Sequence, residues 1–93
     1  MSVEEIGNKI RPTLKKYKIK KAGIFGSVVR KEATDDSDVD ILVELPDQAS
    51  LFDLAGLKID LEELLGKKVD VLTYNSLHPL LKEQILAEQV EIL

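Results

Sequence analysis

Two aspartates and a glycine-serine pair lie close together in the first half of the chain, at spacings that suit phosphate chemistry. Gly26 and Ser27 follow a short apolar run, and Asp38 and Asp40 open the next one. A glycine-serine turn that leads from a strand into a helix exposes backbone N–H groups to an anion. Acids two residues apart on a strand share a face, where they share a proton or hold a hard cation such as magnesium. This combination is what phosphoryl or nucleotidyl transfer requires.

A third acid, Asp70, lies in a later apolar segment. Alternating apolar residues predict a strand from Lys68 to Tyr74, and aspartate is disfavoured in such a strand. If this strand pairs beside the one that carries Asp38 and Asp40, the carboxylates converge and repel each other unless cations are bound. The alternative is that Asp38 and Asp40 are surface acids in a turn where their strand begins.

The leading segment reads as an amphipathic helix. Ser2 matches an N-terminal capping box, and Ile6, Ile10 and Leu14 recur at four-residue spacing. Pro12 lies inside this pattern, and proline costs about 3 kcal/mol in a helix interior. We therefore expect a kink or a fresh helical start there.

Short elements follow the helix and surround the candidate site. Composition predicts a strand at Ala22–Phe25, a short helix from Ser27 to Ala33, a loop over 34–37 and a second strand at Asp38–Leu45, which Pro46 ends. Alternation divides the second strand between two faces. One face carries Val39, Ile41, Val43 and Leu45, and the other carries Asp38, Asp40, Leu42 and Glu44.

Two further helices are predicted in the second half of the chain. Ser50 caps the first and Gly66 ends it, while Gly56 inside it suggests close packing. Its apolar stripe comprises Leu51, Leu54, Leu57, Leu61, Leu64 and Leu65, widened by Phe52, Ala55 and Ile59. His78 is expected to be a surface or capping residue, and Pro79 is expected to open the last helix.

The last helix is predicted to bury Leu80, Leu81, Ile85 and Leu86 and to expose Lys82, Glu83 and Glu88. The final segment, Val90–Leu93, reads either as a short edge strand or as a loose tail.

Composition limits the function classes. The chain has 93 residues, 44% of them hydrophobic, which suits one compact domain over residues 1–93. The net charge of −4 disfavours direct nucleic-acid binding through a basic surface. The sequence has no cysteine, which excludes thiolate chemistry, and it shows no signal peptide or membrane span, so we expect a cytoplasmic protein.

One basic cluster needs its own interpretation. Lysines crowd the end of the first predicted helix: Lys15, Lys16, Lys18, Lys20 and Lys21. They read either as a solvated helix end that complements the helix dipole or as a surface that attracts a triphosphate.

The combined pattern resembles a known family. Gly26-Ser27, Arg30, Ser37-Asp38 and Asp40, followed by an apolar strand and Asp70 in the next one, resemble the signature of the nucleotidyltransferase superfamily related to DNA polymerase beta. The short length resembles its minimal nucleotidyltransferase (MNT) members. The resemblance implies an α+β fold, in which helices pack on a small mixed β-sheet. One departure is Lys31, where many relatives carry glycine after the arginine.

The resemblance also implies a site. Asp38, Asp40 and Asp70 would be catalytic and would bind two Mg²⁺ ions, with Asp70 helping to activate the attacking hydroxyl. Gly26, Ser27, Arg30 and Ser37 would contact ATP. Arg30 could reach phosphate, or it could pair with an acid such as Glu32 or Asp36, and both readings stay open.

The resemblance further implies a partner. MNT proteins typically pair with a helical HEPN ribonuclease toxin, which the antitoxin silences by transferring AMP from ATP to a tyrosine, or by binding alone. A third reading is transfer to a small molecule such as an aminoglycoside, although those relatives are longer. A homo- or hetero-oligomer would fit such a small domain.

Overall fold

A computed structural model describes residues 2–34 and 37–93. Within these residues the chain forms helices α1 (Val3–Lys16), α2 (Leu51–Leu65) and α3 (Pro79–Glu88) and strands β1 (Lys21–Phe25), β2 (Val39–Glu44), β3 (Val69–Thr73) and β4 (Val90–Glu91). Single turns of 3₁₀ helix follow β1 at Gly26–Val28 and β3 at Tyr74–Ser76. The loop predicted over 34–37 includes Asp35 and Asp36, which lie outside the described residues.

The strands form one mixed sheet in the order β3-β2-β1-β4. β1 pairs antiparallel with both β2 and β4, whereas β2 pairs parallel with β3. The parallel pair needs a crossover connection, and α2 supplies it. The predicted α+β fold, a small mixed sheet with helices packed on it, is therefore confirmed, and the final segment forms an edge strand.

Side-chain caps begin the helices, as the sequence predicts. The Ser2 hydroxyl accepts the Glu5 N–H at 3.1 Å, and Ser50 forms a reciprocal capping box with Asp53. Gly66 ends α2 in the left-handed conformation, with φ of 66°. His78 is a capping residue, because its Nδ1 accepts the Leu80 N–H at 3.2 Å. α1 continues through Pro12, so the fresh helical start is not observed.

One face of the sheet, which we name the core face, carries α1 and α2. Its residues are Ile6, Ile10 and Leu14 of α1, Leu57, Leu61 and Leu65 of α2, and Ala22, Ile24, Val39, Ile41, Val43 and Val69 of the sheet. The predicted inward side of β2 is confirmed. The α2 stripe was predicted too wide, because Leu51 and Phe52 are 81% and 88% exposed. The residues of α2 that are buried are Leu57, Leu61 and Leu65, which recur at four-residue spacing.

The opposite face, which we name the site face, carries α3. Phe25, Leu42 and Leu77 are buried there, and Tyr74, Ile85 and Leu86 pack against them. Leu80 and Leu81 were predicted to be buried but are 86% and 51% exposed. The apolar cover therefore comes from the second half of α3 alone. No helix in the described part of the chain is long and apolar enough to cross a bilayer.

Candidate functional site

The strand register brings Asp40 and Asp70 together. β2 and β3 are parallel, and Asp40 lies directly opposite Asp70. Directly opposed residues project to the same side of a sheet, so both carboxylates lie on the site face. Asp38 comes one residue before β2 and is partly buried, as is Asp40, whereas Asp70 is exposed. The predicted convergence is therefore observed for Asp40 and Asp70, while the place of Asp38 in a three-carboxylate site stays a prediction.

These neighbouring acids change the protonation of Asp40. The pKa of Asp40 is raised from 3.8 to about 6, first because burial disfavours its charged form. The negative charge of Asp70, a hydrogen bond with Asp70 and the charge of Asp38 raise this pKa further, and the Arg30 guanidinium opposes them. The Arg30 guanidinium therefore offsets only part of the negative charge that Asp70 and Asp38 exert on Asp40.

Gly26 shapes the turn beside these acids. Its φ of 78° lies in the left-handed region, where a side chain is strained. A Cβ at this position would also collide with the Asp40 carboxylate. Glycine is therefore required twice, once by the backbone and once by the approach of Asp40. The short helix predicted from Ser27 to Ala33 is wrong, because the 3₁₀ turn ends at Val28 and turn residues follow.

A carboxylate from α3 occupies this turn. The Gly26 N–H donates to Glu88 Oε1 at 2.6 Å, and Arg30 Nη1 donates to the same oxygen at 2.9 Å. The prediction that Glu88 faces outward is therefore wrong, and its side chain is only 18% exposed. Sequence reasoning had a signal for this position, because Glu88 lies three residues after the partly buried Ile85 and so shares its side of α3.

Arg30 bridges two acids. Its Nε lies 3.1 Å from Glu32 Oε2, in addition to the contact with Glu88. The pairing alternative is thus confirmed for Glu32, while Asp36 lies outside the described residues. Contact of Arg30 with phosphate stays a prediction.

The two serines of the predicted site hold the local backbone. Ser37 Oγ accepts the Thr34 N–H at 2.8 Å. The Ser27 carbonyl accepts the Glu32 N–H at 2.9 Å, and Ser27 itself is partly exposed. Both contacts join described residues that lie between β1 and β2. The predicted contacts of Ser27 and Ser37 with nucleotide stay predictions.

The acids suit magnesium only together with a substrate. Across residues 2–34 and 37–93, no three or more His, Asp or Glu side chains gather closely enough to hold an ion alone. Magnesium, however, is commonly bound by one or two carboxylates together with substrate phosphates. The opposed Asp40 and Asp70 carboxylates provide such a hard-oxygen set. The metal-binding role of Asp38, Asp40 and Asp70 stays a prediction.

The lysine cluster lies away from these acids. Lys21 begins β1 opposite Glu44, whereas Phe25 ends β1 opposite Asp40. At about 3.3 Å per strand residue, four residues separate the two ends by roughly 13 Å. Lys21 Nζ instead stands 4.7 Å from the centroid of the Tyr74 ring. This position favours the solvated alternative for the cluster.

Comparison with protein families and relatives gives a consistent match. The family model described as polymerase beta, nucleotidyltransferase matches residues 8–93. A Methanocaldococcus jannaschii protein, provisionally named a protein adenylyltransferase, is 57% identical over 93 residues and covers 100% of both chains. Protein adenylyltransferase MntA of Thermococcus cleftensis is 40% identical over 77 residues, which are 83% of this chain and 78% of that protein.

Solved structures agree with this match. One of a provisionally assigned minimal nucleotidyltransferase is 36% identical, with a TM-score of 0.83, and covers 97% of this chain and 95% of that one. A toxin–antitoxin structure with AMP-PNP is 25% identical, with a TM-score of 0.82 and coverage of 94% and 72%. A complex of a tri-AMPylated Shewanella oneidensis HEPN toxin with its MNT antitoxin shares the fold, at 23% identity, a TM-score of 0.75 and coverage of 97% and 71%.

Proposed function

Because the chain belongs to the polymerase beta nucleotidyltransferase family, among its minimal members, we propose that it transfers AMP from ATP to a tyrosine hydroxyl of a HEPN-type toxin and so neutralises that toxin. The observation that carries this proposal is the parallel register that sets Asp40 opposite Asp70 beside the Gly26 turn. The adenylyltransferase names of the relatives and the AMP-PNP in the toxin–antitoxin structure support ATP as the substrate.

The reaction is a displacement at phosphorus. The acceptor oxygen attacks the α-phosphorus of ATP and forms a phosphodiester with AMP. The bond between the α-phosphorus and the oxygen that bridges to the β-phosphorus breaks, and its electron pair leaves with pyrophosphate. The hydroxyl proton passes to a carboxylate of the site or to solvent. In this proposal Asp70, the exposed acid of the opposed pair, helps to remove that proton.

Each residue has a role in this proposal. Asp38, Asp40 and Asp70 would hold Mg²⁺, which when bound would neutralise phosphate charge and make the attacking oxygen more nucleophilic. The Asp40 carboxylate lies against Gly26, so this acid and the glycine turn are in direct contact. Gly26 and Ser27 receive the triphosphate at the turn, and Arg30 and Ser37 contribute further contacts to the nucleotide. Residues 1–93 act as one minimal domain, and the proposed setting is cytoplasmic.

A second candidate function is binding without transfer. Leu51, Phe52 and Leu80 are more than about four-fifths exposed, and large exposed apolar side chains often mark partner contacts. A partner held on these residues could be neutralised by complex formation while the nucleotide site stays idle. We propose no direct contact with nucleic acid or membrane in either case.

An ATP-labelling experiment separates the two candidates. The chain is incubated with Mg²⁺, ATP labelled at the α-phosphorus and a HEPN-domain protein encoded beside it. We expect label on the partner, no label with ATP labelled at the γ-phosphorus, and a loss of at least about a hundredfold for Asp40→Asn, because metal charge stabilisation supplies several kcal/mol. Asp47→Asn, an exposed acid outside the cluster, is the matched control. A partner that is neutralised but never labelled would instead establish binding alone.

A further inference from the structure

Glu88 contacts two of the groups that the proposed function assigns to phosphate, Gly26 and Arg30. One carboxylate oxygen accepts both the Gly26 N–H at 2.6 Å and the Arg30 guanidinium at 2.9 Å. Hydrogen bonds between a charged acceptor and such donors are shorter and stronger than neutral ones. In this chain the anion at the Gly26 turn is therefore supplied from within, by the last residue of α3.

This contact conflicts with the bound nucleotide. A phosphate oxygen that accepts the Gly26 N–H must stand where the Glu88 oxygen stands, because a backbone N–H makes one strong hydrogen bond at a time. Glu88 also adds negative charge beside Asp40, whose carboxylate packs on Gly26. A triphosphate that arrived with Glu88 in place would meet like charge, and the Gly26 N–H and Arg30 Nη1 would already be engaged.

The backbone around Glu88 is held independently of the carboxylate. The next residue, Gln89, donates its N–H to the Ile85 carbonyl at 2.9 Å and accepts the Tyr74 hydroxyl at 2.8 Å. Val90 then pairs with Ile24 in the sheet. Since the main chain is fixed on both sides, Glu88 can leave the turn by side-chain rotation alone, without movement of α3.

We propose that Glu88 is an internal competitor of the triphosphate: in the free chain its carboxylate occupies the Gly26 and Arg30 anion site, and a polyphosphate binds by displacing it. The inference rests on the proposed function, because the molecule that displaces the Glu88 carboxylate is the nucleotide of that function. It adds a residue outside the acid cluster that sets how tightly the nucleotide binds. When the binding-competent form is a minor fraction of the population, the apparent dissociation constant equals the intrinsic constant divided by that fraction, and binding is weaker.

Calorimetric titration of the whole chain tests this competition. The probes are ATP and inorganic tripolyphosphate, each with Mg²⁺, with adenosine as the ligand that lacks phosphate. We expect Glu88→Ala to bind ATP and tripolyphosphate about tenfold more tightly than the wild type, and Glu88→Gln to show a smaller gain in the same direction. Adenosine binding should not change. Glu83→Ala removes the same charge from an exposed position of α3 and should leave all three affinities unchanged.

The outcomes separate this inference from the proposed function. If the wild type binds ATP but Glu88→Ala and Glu88→Gln bind it equally or more weakly, Glu88 positions Arg30 and the competition is refuted, while the transferase proposal stands. If no form binds ATP or tripolyphosphate, both proposals fail. Should Glu88→Ala not fold, Glu88→Gln and the carboxyl ¹³C resonance of Glu88 in the wild type decide. That resonance should shift when tripolyphosphate binds, and an unchanged resonance in the bound state refutes displacement.

Discussion

On the core face of the sheet, α1 and α2 bury a continuous apolar layer in which Ile10, Ile41 and Leu61 have no exposed surface. On the site face, α3 contributes only partly buried apolar side chains, and its last residue reaches a charged contact at the Gly26 turn. The two faces are therefore stabilised differently. The core face depends on burial, whereas the site face combines a small apolar cluster with placed charges.

This difference indicates where the molecule can change without unfolding. Removing a charge or a hydrogen bond from the site face leaves the core-face packing intact, so nucleotide chemistry and folding are largely separate. The sheet edge can then tolerate the repulsion that Asp38 and Asp70 exert on Asp40, because the opposite face buries the larger apolar cluster. Substitutions that act on one face only test this separation.

The largest expected difference is between two leucine truncations. Leu61→Ala in α2 removes a fully buried side chain and should lower the free energy of unfolding by about 3 kcal/mol. Leu80→Ala in α3 removes one that is 86% exposed and should change it by less than about 0.5 kcal/mol. Urea denaturation of both variants measures the two values. Comparable losses would mean that α3 carries as much of the folding energy as α2, and the contrast between the faces would fail.

The sequence predicts the core face well because burial there follows a simple period. Ile6, Ile10 and Leu14 recur every four residues, and alternation along β2 assigns its inward side correctly. Asp40 and Asp70 were predicted to converge if their strands were neighbours, and the parallel pairing that sets them opposite each other meets this condition. Periodicity therefore predicted the buried sides of α1 and β2, whereas the convergence of the acids depended on which strands are neighbours.

The site face was harder to predict because its contacts are specific and polar. Leu80 and Leu81 were predicted to be buried, but they are exposed because they precede the part of α3 that covers Phe25 and Leu42. The contact from Glu88 to Gly26 joins residues 62 positions apart, and no local pattern encodes such a pairing. From the sequence alone, a charged residue near a helix end is predicted to be exposed to solvent. Only the tertiary structure shows that a hydrogen-bond donor lies beside it.

A smaller effect concerns protonation on the site face. The folded pKa of Asp40, about 6, lies above its ordinary 3.8, so folding favours the protonated acid. Stability is therefore highest below about pH 4 for this group and falls as pH rises through 6. The rise in the Asp40 pKa corresponds to a loss of roughly 3 kcal/mol in the free energy of unfolding above pH 6. Solvent screening of this partly buried group reduces the loss to about 1–2 kcal/mol.

Asp40→Asn should accordingly stabilise the metal-free chain by about 1–2 kcal/mol at pH 7, and the gain should vanish near pH 4. Thermal unfolding in EDTA across this range measures the difference, with Asp47→Asn as the exposed control. Added Mg²⁺ should reduce the gain, because a bound cation relieves the same repulsion in the wild type. A gain that is the same at every pH would assign the effect to packing and not to charge.

The smallest effect is expected at the end of the sheet away from the acids. Lys15 and Lys20 are exposed, and the strand that follows them must run its whole length before it reaches Gly26. At physiological salt, charges farther apart than the Debye length of about 8 Å are largely screened. The paired change Lys15→Gln and Lys20→Gln should therefore alter the dissociation constant for ATP by less than about twofold.

Arg30→Gln is the matched comparison, because it removes a positive charge at the Gly26 turn itself. It should weaken ATP binding about tenfold, which is the loss of one charge-assisted hydrogen bond of about 1.5 kcal/mol. The same titration with tripolyphosphate measures both variants at low and at physiological salt. If the lysine pair weakened binding as much as Arg30→Gln at physiological salt, the basic cluster would attract the triphosphate directly. The separation between the lysine cluster and Gly26 along β1 would then not predict the effect of the cluster on ATP binding.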